Sequence, residues 1–381
     1  MTSNTRGTEL SNPRTISRRA LVRSCFAGSP FLLPRTRAGV AGIDNTSPVP
    51  KKKKPATVPT MNGPRSCDSL GTTLMHEHLL FFSGPRLDNP GYAPIPDDLR
   101  SETIDFVVSL LSDASRVGIE TIVDLTPYRP IDLYSQIASR SSVKIIASTG
   151  FYRRQKMPGH LADMDDEARM EEHLLKEVTE GIDGTKTRAG IIKIASEGTP
   201  LNDWEKKVFR AAARVQKSTG IPIATHDGAS AREQFDFLVN AGANPRRLFL
   251  SHVDTGRRGR PREKLAAELI SIAKEGTSLE VDTFGQEFYT PWADLVFYLR
   301  ALCDAGCTNR IIISIDCNWH WADGKRVFEG SEAPYFDPNA SKRTYAYMMT
   351  DAVPALLKSG FSRKEIDTFL VENPRSFFCG D

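Results

Sequence analysis

Two histidines, His76 and His78, stand two residues apart in the otherwise apolar run GTTLMHEHLLFF, residues 71–82. A buried imidazole needs a hydrogen-bond partner or a ligand, and on a strand this spacing turns both rings to one face. Farther along, four more polar residues interrupt or end apolar runs: Lys193 in GIIKIASEG, His226 in IATHDG, His252 in FLSHVD and Asp316 in ISIDCN. Taken singly, each has an ordinary explanation as a satisfied core histidine, a snorkelling lysine or a capping aspartate. Together, with four of the chain's 7 histidines among them, they predict a centre for divalent cations. Lys193 strengthens that reading, because burial depresses a lysine pKa. A neutral amine can add carbon dioxide to form an anionic carbamate with two oxygens, able to bridge two metals. Four histidines, one aspartate and one carbamate make a binuclear site whose nucleophile is a metal-bridging hydroxide.

Such a set needs strands to carry it. Short β-branched apolar runs occur at 72–80, 119–126, 143–151, 189–197, 221–227, 247–254, 277–285 and 310–318. Between them lie amphipathic segments, clearest at 103–118, 203–220 and 294–306. Strands apolar on both faces and followed by helices predict parallel pairing with crossover helices. Eight such units predict an α/β fold, a closed (β/α)8 TIM barrel forming one catalytic domain over 56–381, with the polar set at the C-terminal ends of the strands. An open doubly wound sheet is the alternative, although no GxGxxG follows the first strand.

Composition sets outer limits. The 381 residues are 40% hydrophobic and 25% charged, with a net charge of +3. That balance gives no electrostatic footprint for nucleic acid, and no apolar run approaches the ~20 residues of a membrane span. Residues 1–55 read as a leader and linker without hydrophobic periodicity. Arg18-Arg19 after Ser17, followed by Ala20-Leu21-Val22, resembles a twin-arginine export signal, interrupted by Arg23. The alternative is a disordered basic leader, so location is periplasmic if the signal operates and cytoplasmic otherwise. Lys51 to Lys54 read as a solvated linker. The six cysteines form no CxxC pair and are expected as buried thiols, with Cys303 and Cys307 on one helix face.

The segment GTTLMHEH, the lysine of GIIKIA, the histidines of ATHD and LSHVD, and the aspartate of SID resemble the phosphotriesterase family of the amidohydrolase superfamily. The resemblance runs from about Val58 to VENPRSFF at 371–378. It implies that His76, His78 and Asp316 bind a buried metal and that His226 and His252 bind a more exposed one. Lys193, as N6-carboxylysine, would bridge them. Zinc is the first expectation, with cobalt, manganese or iron also suited to the donors. The implied activity is hydrolysis of a small-molecule lactone or carboxylic ester, with promiscuous phosphotriesterase activity, and Asp316 as general base. Amide hydrolysis, as of an N-acyl amino acid, is the alternative, and a non-catalytic binding protein on the same fold a remote one. A homodimer is also implied.

On the substrate side, TGFYRRQKMP (149–158) resembles the lactonase branch, which makes Tyr152 a candidate contact. Asp254, Asp282 and Trp319 are further candidates. Here the chain departs from the family's pattern. Asp282 is followed by Thr283 where those branches commonly place Arg or His beside an aspartate. Asp254 falls two residues after His252, where an acid three residues on is expected, which leaves the proton relay of phosphotriesterase-like members open. In the loop 318–343, Trp319, His320, Trp321, Tyr335 and Phe336 are expected to give the pocket an aromatic wall, with His320 a loop residue rather than a ligand.

Overall fold

Eight parallel strands form one sheet in which every strand lies beside its neighbours in sequence. They are β1 (Thr73–Glu77), β2 (Thr121–Asp124), β3 (Lys144–Phe151), β4 (Ile191–Ile194), β5 (Ile223–Ala224), β6 (Leu248–Leu250), β7 (Ser278–Val281) and β8 (Ile311–Ile313). The connecting helices are α1 (Arg100–Arg116), α2 (Ile131–Ser139), α3 (Glu167–Thr179), α4 (Asp203–Thr219), α5 (Ala231–Asn240), α6 (Arg262–Lys274) and α7 (Trp292–Asp304). The expected TIM barrel is therefore present, with all eight strands on the predicted runs. The structure, a computed structural model, describes residues 56–81, 95, 97–257, 259–322, 324–331 and 336–380. The expected leader and Tyr335 lie outside the described residues.

Local sequence explains the elements. In α4, Asn202 and Glu205 form a capping box, and Gly220 ends the helix at φ 76°. Its buried face carries Trp204, Val208, Phe209, Ala211, Ala212 and Val215, the 3.6-residue stripe of a helix laid on a sheet. The strands alternate two apolar faces. Leu74, Ile122, Ile145, Ile192, Leu250, Leu279 and Ile313 join the large core beneath the helices. Met75, Val123, Ile146, Ile191, Ala224, Phe249 and Ile312 form a second cluster. These are the residues a barrel turns inward.

The inward cluster continues into Val58, Cys67, Leu70, Phe377 and Phe378, so the start of the described chain and its last helix, α8 (Asn373–Cys379), plug one end of the barrel. A disulfide joins Cys67 to Cys379 across that plug. This corrects the expectation of buried thiols for two of the cysteines. Cys303, Cys307 and Cys317 remain free. The pairing was hidden because 312 residues separate the two cysteines, which only the closed barrel brings together. Among the described residues, no helix is long and apolar enough to cross a membrane.

Cutting this tie should cost stability. Cys379→Ser is expected to lower the free energy of unfolding by about 2–4 kcal/mol, read from denaturant midpoints. Thiol labelling of unreduced, denatured protein should leave Cys67 and Cys379 unmodified.

Candidate metal centre

The two histidines of β1 owe their direction to a bulge. Leu74 pairs with Ile122 and Glu77 with Asp124, so Met75 and His76 together oppose the single residue Val123. Simple alternation from inward-facing Met75 would turn His76 towards the helices. The extra residue resets the phase, so that Met75, His76 and His78 all serve the barrel interior while Glu77 faces away.

Glu77 then closes the barrel. Its carboxylate accepts hydrogen bonds from Ser314 Oγ (2.8 Å), the Ile315 amide (3.0 Å) and the Cys317 amide (2.8 Å). Backbone bonds from Asp316 N to His76 O (3.1 Å) and from His78 N to Cys317 O (3.1 Å) complete the seam beside β8. Asp316 is thereby fixed between the two histidines. Burial raises the Glu77 carboxyl to about 8, against the downward pull of those hydrogen bonds.

Past the strand ends the backbone bends to aim the remaining groups. His252 and Asp316 adopt φ 57° and 49°, a left-handed conformation uncommon for residues with a side chain. Glycine permits two close approaches. A Cβ on Gly150 would lie 1.7 Å from the Lys193 carbonyl oxygen, and one on Gly228 would lie 1.7 Å from that of His252.

The six predicted residues converge. Lys193 Nζ lies 3.2 Å from His76 Nε2 and donates to the Thr225 carbonyl at 3.0 Å. Asp316 Oδ1 lies 3.2 Å from His78 Nε2 and 3.6 Å from His76 Nε2. His252 Nε2 meets His226 Nδ1 at 2.8 Å, and the Tyr152 hydroxyl reaches His226 Nε2 at 3.0 Å. Ligand atoms of His76, His252 and Asp316 all lie within 4.8 Å of one another, close enough to hold a metal ion.

Three rings are oriented from behind. His76 Nδ1 faces Glu280 Oε2 (2.8 Å), His78 Nδ1 faces Thr126 Oγ1 (2.7 Å), and His252 Nδ1 faces Asp282 Oδ1 (3.0 Å). Such partners fix the tautomer and leave Nε2 with its lone pair towards the centre. Thr126 is itself held, through its amide, by Asp124. His76, Glu280 and Asp282 form a second cluster close enough for an ion. Glu280 and Asp282 are fully buried, and the carboxylates meet His76 on the side of the ring away from Lys193. We therefore read it as support for the ring.

Electrostatics match this arrangement. Burial, helped by neighbouring cations, holds His76 and His226 below the usual imidazole range, in the neutral form that binds metal. Burial also lowers the fully enclosed Lys193 to about 8. For His252, burial pulls down, yet the Asp282 carboxylate wins and the ring sits above its ordinary value. Burial would raise Asp316, but the His78 hydrogen bond and the charges of His252, His78 and Lys193 hold it below the carboxylate range.

A cavity of about 640 Å³ opens above the cluster. His78, His226, His252 and Asp316 form its floor, and Phe81, Tyr152, Arg153, Lys156, Gln286, Tyr289, Asn318 and Glu329 are among its walls. Tyr152 thus lies where a substrate contact is expected. The other three substrate candidates do not line the cavity. Asp282 is fully buried under His252. Asp254 is buried behind Thr283, whose hydroxyl it accepts, and burial with the Asp282 charge raises its carboxyl to about 7. Trp319 is fully buried with Nε1 donating to the Leu79 carbonyl.

The aromatic wall needs the same correction. Trp319 and Trp321 begin the hairpin of β9 (Trp319–Ala322) and β10 (Lys325–Phe328), and Trp321 donates to Thr103 at the start of α1. These rings pack the loop onto the barrel, while Phe336 points to solvent at 70% exposure. Among the described residues, what the loop gives the cavity is polar: Asn318 and Glu329, joined at 2.7 Å. Glu280, Thr126 and Arg153 escaped the sequence reading. For Glu280 a signal existed, since a carboxylate in SLEVD shares the inward phase with Asp282 two residues on.

Residues 56–378 match the sequence model of the phosphotriesterase family. The phosphotriesterase homology protein of Escherichia coli is 29% identical over 319 residues, 82% of this chain and 99% of its own. The N-acetyltaurine hydrolase of Xenopus tropicalis is 27% identical, over 84% of this chain and 97% of its own. Among solved structures, one from the molecular engineering of organophosphate hydrolysis activity from a weak promiscuous lactonase template superposes with a TM-score of 0.73. It is 27% identical and is covered to 99%, against 84% of this chain.

The seam makes a prediction of its own. Glu77→Ala strips the acceptor from three buried donors and is expected to lower stability by at least about 3 kcal/mol, measured by denaturant unfolding. A change smaller than about 1 kcal/mol would show that the seam does not depend on this carboxylate.

Proposed function

The chain belongs to the phosphotriesterase family, and from that premise we propose that it is a metal-dependent hydrolase of small carbonyl substrates, lactones and carboxylic esters first. The observation that carries the reading is the convergence of four imidazoles, Asp316 and buried Lys193 beneath a solvent-reaching cavity. The donor set fits two divalent cations. It offers neutral imidazole nitrogens, one carboxylate, and a lysine whose burial favours the neutral amine that a carbamate requires. His76, His78 and Asp316 would hold the deeper ion, and His226 and His252 the one nearer the cavity, with carboxylated Lys193 between them. When bound, the two ions supply Lewis acidity for the scissile oxygen and lower the pKa of water.

The chain's own residues supply the rest. Asp316, at the cavity floor and kept ionised, is placed to accept a proton from the attacking water. Glu280, Thr126 and Asp282 hold three rings still, which limits reorganisation during the reaction. Tyr152 packs edge-on against Phe81 and His226 and presents its hydroxyl to His226 Nε2, which would let it contact a bound substrate. Amide hydrolysis is the second reading, supported by similarity to an N-acetyltaurine hydrolase.

A hydrolysis panel of lactones, phosphotriesters and N-acyl amino acids on metal-supplied protein tests the proposal. Turnover is expected with lactones or esters and should fall by at least about 100-fold in Asp316→Asn. No turnover of lactones or esters by metal-replete protein contradicts the first reading; turnover of N-acyl amino acids alone selects the second. Asp282→Asn is expected to weaken metal binding by about 10–100-fold, measured by competition with a chromogenic chelator.

A further inference from the structure

The wall that follows β3 carries two cations. Arg153 and Lys156 both line the cavity. Among the described residues, neither pairs with a carboxylate, whereas arginines elsewhere do, such as Arg210 with Glu167 and Arg257 with Asp294. Arg153 is half-buried, its guanidinium lies 5.9 Å from the Tyr152 ring centroid, and its buried Nε has no hydrogen-bond partner among the described residues. The neighbouring Arg154 differs, because it donates to the Ala162 carbonyl and stacks on Trp204. Glu329 and Asp227 also line the cavity; Glu329 is occupied by Asn318 and Tyr289, and neither acid pairs with Arg153 or Lys156 among the described residues.

A partly desolvated guanidinium with an unused donor is costly unless something pairs with it. A neutral lactone or phosphotriester offers it no charge. Carboxylate, sulfonate and phosphate groups do, and they match the planar fork of arginine. Arg153 stands beside Tyr152, whose hydroxyl touches His226, so an anion held there lies a short chain away from the reacting centre. We infer that Arg153, assisted by Lys156, is the specificity-determining residue of this cavity and selects substrates that carry an anionic group close to the scissile carbonyl. The inference rests on the hydrolase reading and narrows its substrate class.

The test compares N-acetyl-β-alanine with the neutral N-acetyl-β-alaninamide, and a carboxylate-bearing lactone with its carboxamide. Wild-type protein is expected to favour the anionic member of each pair in kcat/KM. In Arg153→Gln that ratio should fall by about ten- to hundredfold, mostly through KM, with partial recovery in Arg153→Lys. Arg154→Gln, altered outside the cavity, should keep the wild-type ratio. Calorimetric titration with 5-oxohexanoate, the ketone isostere of N-acetyl-β-alanine that has no scissile bond, gives a readout independent of turnover, and binding should weaken in Arg153→Gln. Neutral substrates hydrolysed with no anionic preference, or a ratio unchanged in Arg153→Gln, would overturn the inference and leave the hydrolase reading standing. Anion binding that depends on Arg153 without turnover of any probe would do the reverse.

Discussion

Everything at the centre depends on how β1 meets β8. Closing an eight-stranded sheet leaves one junction to be joined by the first and last strands, and here the Glu77 carboxylate makes it. Because Glu77 lies between His76 and His78, and its donors bracket Asp316, the interaction that closes the barrel also sets three side chains of the site. The bulge at Met75–His76 makes this possible by turning Glu77 outward and both histidines inward. A one-residue slip would send the imidazoles to the wrong face.

The electrostatics of the centre follow from burial acting on groups of both signs. Burial lowers the proton affinity of His76, His226 and Lys193 and raises that of Glu77 and Asp254, while the Asp282 carboxylate lifts His252 against it. Asp316 departs from that trend because imidazoles and Lys193 surround it, whereas for Glu280 burial and the Asp282 charge outweigh the downward pull of Lys193, and it sits well above the ordinary range. The acids thus shift in opposite directions, Asp316 at the cavity floor downward and Glu280 behind the rings upward. On the β3 side of the cavity, Arg153 and Lys156 have no carboxylate partner among the described residues.

Much of this was legible in the sequence. The eight strands showed as β-branched runs, because both faces of a barrel strand are apolar and the polar exceptions stand out. His76, His78, Lys193, His226, His252 and Asp316 were such exceptions, and each reaches the centre. Features that depend on tertiary contact were not legible. Periodicity cannot show the bulge, since HEH reads the same whether or not Met75 also faces inward. The Cys67–Cys379 bond joins residues that only the plugged barrel brings together. Trp319 looked like a pocket residue from its place after β8, but a large aromatic with an N–H is also a good anchor for a loop, and its bond to Leu79 uses it as one. Asp254 and Asp282 were placed in the right region and at the wrong depth, because strand phase gives direction and not layer.

The central claim is that these six side chains hold two divalent cations, with Lys193 carboxylated between them. Elemental analysis of purified protein incubated with zinc, cobalt or manganese and bicarbonate, then freed of loose metal, tests it most directly. The account predicts two tightly held ions per chain, and a marked loss in Lys193→Ala while the fold is retained. Folded wild-type protein that stays metal-free under those conditions would contradict it.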